Sequence, residues 1–209
     1  MTRAQLGRPV GASGQETRQR IIVATMRCVA KVGYSRATIR EIARTANVTS
    51  ASLYNYFPNK AELIKAAIAA RTDVALPRLR AAAARSGSAV DRIEAVLDES
   101  GRLMREYPDL AAFEWVIRAE SAVLLDPQLT GGAGFQAFRE IIEGVVDDAY
   151  RQDDLAHRSD RRSVVEAVYA LIYGLVELAA ASPPRDYHAA LVAAKKMVRG
   201  TLFAAGAKG

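Results

Sequence analysis

Between Thr38 and Lys60 the chain sets hydroxyls, two arginines, two tyrosines and a lysine at short spacings, with no histidine, cysteine or pair of carboxylates among them. These groups donate hydrogen bonds to phosphates and base edges; they are not a set that moves protons or holds a metal. Arg40 can donate two bonds to guanine O6 and N7, a pairing worth roughly 1–3 kcal/mol of discrimination. The hydroxyls of Thr49, Ser50 and Ser52 can donate or accept, and Ala51 can meet a thymine methyl. The Tyr54 and Tyr56 hydroxyls, Thr38 and the Lys60 ammonium suit phosphate oxygens, which fix register without reading sequence. The competing roles are structural: packing for the two tyrosines, a solvated helix position for Arg40.

The surrounding pattern predicts how these groups are held. A first helix runs from about Glu16 to Val32, with Ile21, Ile22, Thr25, Cys28, Val29 and Val32 on one face and Gly33 at the stop. Thr38 followed by Glu41 has the spacing of a capping box, opening a second helix through Ile39, Ile42, Ala43 and Ala46. Asn47 suits the left-handed backbone of a tight turn, and Val48 plugs the core behind it. Thr49 or Ser50 caps a third helix, in which Leu53 faces inward. Asn59-Lys60 opens a fourth helix toward Leu76, which Pro77 is expected to break or kink. Two short helices with a tight turn, the second bearing small polar residues where aliphatics would pack, form a helix-turn-helix reader of double-stranded DNA.

Charge is distributed to match. Residues 1–71 hold 12 Lys/Arg against 3 acids, and residues 72–209 hold 17 against 20, so the net +6 rests entirely on the first third. A basic module on a mildly acidic body points to nucleic acid, whose condensed counterions lysine and arginine displace. Residues 1–15 are read as a flexible basic arm, with Arg8 either reaching a minor groove or uninvolved. One cysteine leaves no disulfide framework and no cysteine zinc site, and a reducing, cytoplasmic setting is expected. The N-terminus has no apolar run of a secretory signal, and no membrane span is expected; the best candidate, Ala167 to Ala181, contains Glu177.

The rest reads as all-α. Helices are expected over Val90–Glu106, Leu110 to about Leu125, Phe135 to about Tyr150, Ser163–Ala181 and about Asp186–Ala205, with a charged loop over Arg151–Arg162. The helix from Ser163 carries two apolar stripes and so needs two partners, the chain's own core and either a second subunit or more of the monomer.

These residues resemble the TetR family of bacterial transcriptional regulators. The likeness is specific over residues 16–68: Gly33-Tyr34, Thr38-Ile39-Arg40-Glu41-Ile42-Ala43, Ala46-Asn47-Val48, Leu53-Tyr54-Asn55-Tyr56-Phe57 and Asn59-Lys60-Ala61-Glu62-Leu63. It implies an arm over 1–15, a three-helix DNA-binding domain over 16–62, and a helical ligand-binding and dimerisation domain over 63–209. It further implies a homodimer formed through the last two helices, bound to a palindromic operator and released by a small molecule. By the same resemblance Thr38 and Lys60 grip phosphates, Arg40, Ser50, Ala51 and Ser52 reach base edges, and Tyr54 contacts phosphate or base. Tyr56 stands where histidine is frequent and Asn55 where an aromatic is, so contacts there are altered.

An effector cavity between helices would be mostly apolar with a few polar anchors. Leu103, Tyr107, Phe113, Trp115, Phe138, Ile142, Tyr169 and Tyr173 are the candidate lining, suiting a small hydrophobic effector; each is equally a core residue. Arg118, Glu120 and Glu177 interrupt apolar runs and are candidate anchors or ion-pair members. No cofactor is expected, and no metal or catalytic site: His157 and His188 are isolated, and Gly131-Gly132-Ala133-Gly134 lacks the lysine of a phosphate loop. The acid pairs Asp147-Asp148 and Asp153-Asp154 are expected on an exposed turn. Three functions are compatible with the residues: a ligand-responsive repressor, a DNA-binding activator or architectural protein without a ligand, and an all-helical enzyme or binding protein.

Overall fold

The computed structural model describes residues 10–121, 133–152 and 160–202. Among them there are helices and no strand: α1 (Val10–Val32), α2 (Ile39–Thr45), α3 (Ser50–Tyr54), α4 (Lys60–Ala83), α5 (Ala89–Glu106), α6 (Pro108–Ser121), α7 (Ala133–Arg151), α8 (Arg161–Ala181) and α9 (Pro184–Val198).

Local chemistry sets most of the ends. Thr38, Thr49 and Asn59 cap α2, α3 and α4, each accepting from the backbone N–H three residues on, at 3.2, 3.0 and 2.9 Å. Ser88 and Asp91 form a full reciprocal capping box on α5. Asn47, with φ +54°, supplies the left-handed step between α2 and α3. Pro108 is the first residue of α6, where its missing N–H costs nothing.

Two apolar clusters organise the chain. The first joins α1, α2 and α3 through Ile21, Ile22, Val29, Ile42, Leu53 and Phe57, all buried. Cys28 lies in it, buried, as a core thiol. The same cluster includes Leu63, Ile64, Ala67 and Ile68 of α4 and Phe113 and Ile117 of α6. The second cluster binds α5, α7, α8 and α9 to the C-terminal half of α4 through Leu76, Leu79, Val96, Leu97, Ile142, Val146, Ile172 and Leu191. Gly101 lets α9 approach α5: a Cβ there would stand 2.8 Å from Leu191 Cδ2. Ion pairs reinforce the join, Lys195 with Asp98 and Arg199 with Asp91 and Glu94.

Several expectations change. Of the arm over 1–15, residues 1–9 lie outside the described residues and residues from Val10 are already helical. Helix α4 runs through Pro77 to Ala83 without ending. The hydrogen bond that Pro77 cannot donate is the one to Asp73, an exposed position where water can satisfy the carbonyl. Asp147 and Asp148 lie on α7, paired with Arg161 and with Arg92 and Arg151, whereas Asp153-Asp154 and His157 lie outside the described residues. Helix α8 is long and apolar enough to cross a membrane by length and composition, because only Glu166 and Glu177 are charged between Ser163 and Ala181. The last helix ends at Val198, and residues 203–209 are beyond the described part.

The 62/63 boundary cuts the first cluster. A fragment of residues 1–62 would lack Leu63, Ile64, Ala67, Ile68, Phe113 and Ile117, and is expected to be largely unfolded on its own. Circular dichroism of the fragment checks this; a cooperative thermal transition with native-like helix content would show that the three-helix module is self-sufficient.

Candidate nucleic-acid interface and ligand cavity

Helix α3 is five residues long, and only Leu53 is buried in it. Opposite Leu53 the helix presents Ala51 and Tyr54, the latter 51% exposed, with Ser50 and Ser52 half-buried at the edges. The turn before it is held by Val48 N–H donating to Ala43 O at 2.9 Å and by Thr49 capping the helix. Arg40 and Thr38 are exposed on the preceding helix and its cap. The Thr38 and Thr49 oxygens accept cap bonds, which leaves each hydroxyl proton able to donate to an incoming oxygen. Apart from Tyr56 and Lys60, the expected base-reading and phosphate groups therefore stand on two capped helices and their caps.

Two residues carry a second duty. Tyr56 is half-buried and packs against the module's core, so packing fixes its ring. Lys60 follows the cap Asn59 and donates from Nζ to the Tyr34 carbonyl, with the ammonium 4.2 Å from the Tyr34 ring centroid. It ties the start of α4 to the loop after α1, a contact that no local pattern announces.

A cavity of about 80 Å³ lies between α4, α5, α6, α7 and α8. Its walls are Arg71, Thr72, Ala75, Leu76 and Leu79 of α4, Ser100, Leu103 and Met104 of α5, Leu110, Glu114 and Arg118 of α6, Phe138 of α7, and Tyr169, Ile172, Tyr173 and Val176 of α8. Of the expected lining, Leu103, Phe138, Tyr169 and Tyr173 are brought together here. Trp115 is not in the wall but sits behind it, its ring 6.2 Å from that of Tyr173. Ile142 is wholly buried in the core of the body without reaching the cavity. Tyr107 caps the C-terminus of α5, 45% exposed and outside the cavity. Phe113 is fully buried, but in the first cluster, against the three-helix module. Helical periodicity explains the split: Phe113 and Ile117 share one face of α6, and Leu110, Glu114 and Arg118 the adjoining one.

The polar groups of the cavity are unusual for their burial. Arg71 is 8% exposed and pairs with Glu114 across α4 and α6. Burial first, and then the neighbouring Arg118 charge, pull the Arg71 guanidinium down to about 10, still far above neutral pH. Arg118 donates to the Tyr169 hydroxyl and lies over the Tyr173 ring, 4.0 Å from its centroid. Burial lowers its pKa as well, opposed by a hydrogen bond with Tyr173. The aromatic wall is continuous, with Tyr169 and Tyr173 near-parallel at 8° and Phe138 tilted against Tyr169. Sequence reading named Arg118 but not Arg71 or Glu114; charges inside apolar helical runs are the signal that marks all three. Of the other candidate anchors, Glu177 is exposed and the Glu120 side chain lies outside the described residues. No group of metal-ligating side chains occurs among the described residues.

Comparison with known proteins matches this geometry. Residues 21–67 fit the family model described as bacterial regulatory proteins, tetR family. The HTH-type transcriptional regulator SrpR of Pseudomonas putida is 41% identical over 66 residues, 32% of this chain and 31% of that protein. The HTH-type transcriptional repressor KstR of Mycolicibacterium smegmatis is 30% identical over 100 residues, 47% of this chain and 49% of that one. The chain thus spans about a third to a half of the length of these relatives. Over the whole fold, the transcriptional regulator FadR of Bacillus subtilis, in complex with stearoyl-CoA, superimposes with a TM-score of 0.72 at 19% identity, covering 88% of this chain and 96% of that one. The reading helices, over residues 21–67, match the TetR family of bacterial transcriptional regulators by sequence, and the helical body has the same fold as a solved regulator.

Proposed function

We propose that the protein is a homodimeric, cytoplasmic repressor that binds a palindromic operator and is released from it by a small hydrophobic ligand. One observation carries the reading: helix α6 places Phe113 and Ile117 in the core of the DNA-reading module and Leu110, Glu114 and Arg118 in the cavity wall. A molecule that rearranges the cavity side of α6 must act on the other side as well, because packed interfaces do not deform continuously. The boundaries 16–62 and 63–209 are then functional units sharing α4 and α6, with Thr38, Arg40, Thr49, Ser50, Ala51, Ser52, Tyr54, Tyr56 and Lys60 as the DNA contacts. The stearoyl-CoA bound to the Bacillus subtilis regulator supports an apolar effector.

The dimer reading rests on α8 and α9. Leu178, Met197 and Leu202 are exposed large apolar residues, and they line a shallow groove together with Ala170, Gly174 and Ala193. Helix α8 buries Val165, Ile172 and Leu175 against the body, so this second apolar side calls for a second cover. A second copy supplies the same surface and closes it by two-fold symmetry, matching two operator half-sites. That pairing also accounts for the apolar length of α8 without a membrane.

A second reading, a DNA-binding regulator with no small-molecule ligand, is favoured by the cavity's size. About 80 Å³ is below the roughly 300–1,000 Å³ of ligand sites, so an effector must open it. Selection of random duplex DNA on the purified chain, followed by binding across a salt series and a ligand screen on the selected probe, separates the readings. A palindromic site with a steep salt slope supports a dimeric operator binder, and an effector that changes its affinity supports release. Recovery of no preferred sequence at low salt would overturn the proposal.

Within that assay Arg40→Ala is expected to flatten the preference at one base position while keeping much non-specific affinity. Lys60→Ala is expected to weaken binding to all sequences and reduce the salt slope by about one. If both variants keep wild-type selectivity and slope, the DNA contacts lie elsewhere.

A further inference from the structure

We propose that Arg36, in the loop between α1 and α2, is a further DNA contact whose guanidinium grips a backbone phosphate beside those expected at Thr38 and Lys60. This rests on the DNA-binding reading above and deepens it by a contact that lies outside the two reading helices.

The loop is short and held at both ends. Gly33 takes a left-handed step, with φ +84°, and its carbonyl accepts from the Ala37 N–H at 3.1 Å. Ala37 is wholly buried, which pins the far end to the core of the three-helix module. Arg36 stands between these anchors and is exposed. Two expected phosphate contacts border the same loop. Thr38 caps α2 two residues further on, so the two Cα atoms are at most about 7 Å apart. Lys60, at the start of α4, donates to the carbonyl of Tyr34, which belongs to the loop itself. A hydroxyl, a guanidinium and an ammonium are thereby gathered around one turn of chain. A DNA strand carries a phosphate about every 3.4 Å along the helix axis, so groups this close meet one phosphate or its neighbour.

The arginine is held as a fork. Its Nε donates to the Val32 carbonyl at 2.8 Å, which fixes the side chain without using the two terminal nitrogens. Those nitrogens can donate in parallel to two oxygens of one phosphate, and a side chain already fixed loses little freedom in doing so. Among the described residues no carboxylate pairs with Arg36, whereas Arg44 lies 4.0 Å from Glu41. A phosphate can therefore bind at Arg36 without first breaking an ion pair. The bond to Val32 also has a structural use, since it satisfies a carbonyl in the last turn of α1. That use needs a single N–H, and the guanidinium keeps four more. Phosphate contacts fix register without reading sequence, so losing this one should cost the same on any duplex.

The test uses the full-length protein, the duplex recovered by selection and a random-sequence duplex, with affinity measured across a salt series. Arg36→Gln is expected to weaken binding to both duplexes about tenfold, the scale of a charge-assisted hydrogen bond. Its salt slope should fall by about 0.9 for each copy bound, with the preference between the duplexes unchanged. Arg36→Lys keeps the charge and loses the fork, so it should keep the slope and lose part of the affinity. Arg85, exposed just beyond the end of α4, is the control for charge acting at a distance, and Arg85→Gln should leave the slope at the wild-type value. An unchanged slope in Arg36→Gln, whatever its melting temperature, would mean that the residue only caps α1 and overturns the proposal. An equal fall in Arg85→Gln, or a loss confined to the selected duplex, overturns it too. If circular dichroism finds Arg36→Gln unfolded, Arg36→Lys decides: weaker binding to both duplexes supports the contact, and wild-type affinity overturns it. A wild type that binds neither duplex at low salt sinks the DNA-binding reading and this inference with it. Wild-type binding with an unchanged Arg36→Gln slope sinks this inference alone.

Discussion

Arg71→Met is expected to lower the unfolding midpoint by roughly 10 °C, the largest effect of any single charge removal in this chain. Arg71 is 8% exposed, and the Glu114 side chain that it pairs with is 17% exposed. Removing one partner of such a pair leaves the other charge buried, a penalty of about 3–5 kcal/mol, and for a chain of this length each kcal/mol is worth about 2–4 °C. The partial exposure of Glu114 places the effect near the lower end. Arg71→Met combined with Glu114→Leu should recover most of the loss, since an apolar pair of similar volume suits a wall already made of leucines. Thermal denaturation of the two single variants and the double variant checks this. Additive losses would mean that the pair is a solvated contact and that the cavity is open to water.

The reader of DNA was legible in the sequence because its determinants are local. The caps Thr38, Thr49 and Asn59, the left-handed Asn47 and the inward Leu53 each act within a few residues, and each is found in that role. The body was legible as helices but not as a cavity. Phe113 and Phe138 look alike along the chain, both aromatic within apolar helical runs. Only the packing of α6 against α1 sends one to the DNA-reading core, while Phe138 reaches the cavity. The pairing of Arg71 with Glu114 joins residues on different helices, and no spacing rule anticipates it. Pro77 misled for the opposite reason: its local rule was right about the lost hydrogen bond, but the buried Leu76 and Leu79 on either side hold the helix together. Lys60 was assigned from its position at a helix start, and its bond to the Tyr34 carbonyl depends on a loop far back in the chain.

Phe113→Ala is expected to cost about 3–5 kcal/mol, the range for deleting a fully buried aromatic side chain, and to weaken the join between the reading module and the body more than either part alone. Among the described residues Phe113 is the largest side chain buried without any exposure, and it shares its cluster with α1 and α4 residues across that join. Beside the continuous helix α4, α6 offers few other contacts to hold it. Arg27 and Asp109 bridge α1 and α6 at 3.1 Å, but both side chains are about half exposed, and such pairs contribute about 0–1 kcal/mol. Ile117 and the partly buried Val116 are the other apolar contacts from α6. The loss should therefore appear first as faster hydrogen exchange in α1 and α2, with α5 and α7 still protected. Ile142→Ala is the matched control, a comparable deletion inside the body that should leave the reading module as protected as in the wild type. The milder Phe113→Leu should keep the fold while loosening the seam, so operator binding persists and the response of that binding to an effector shrinks. Uniform loss of protection in Phe113→Ala, spread over both halves, would show that the two clusters unfold as one unit and that α6 transmits nothing that the rest of the fold does not share.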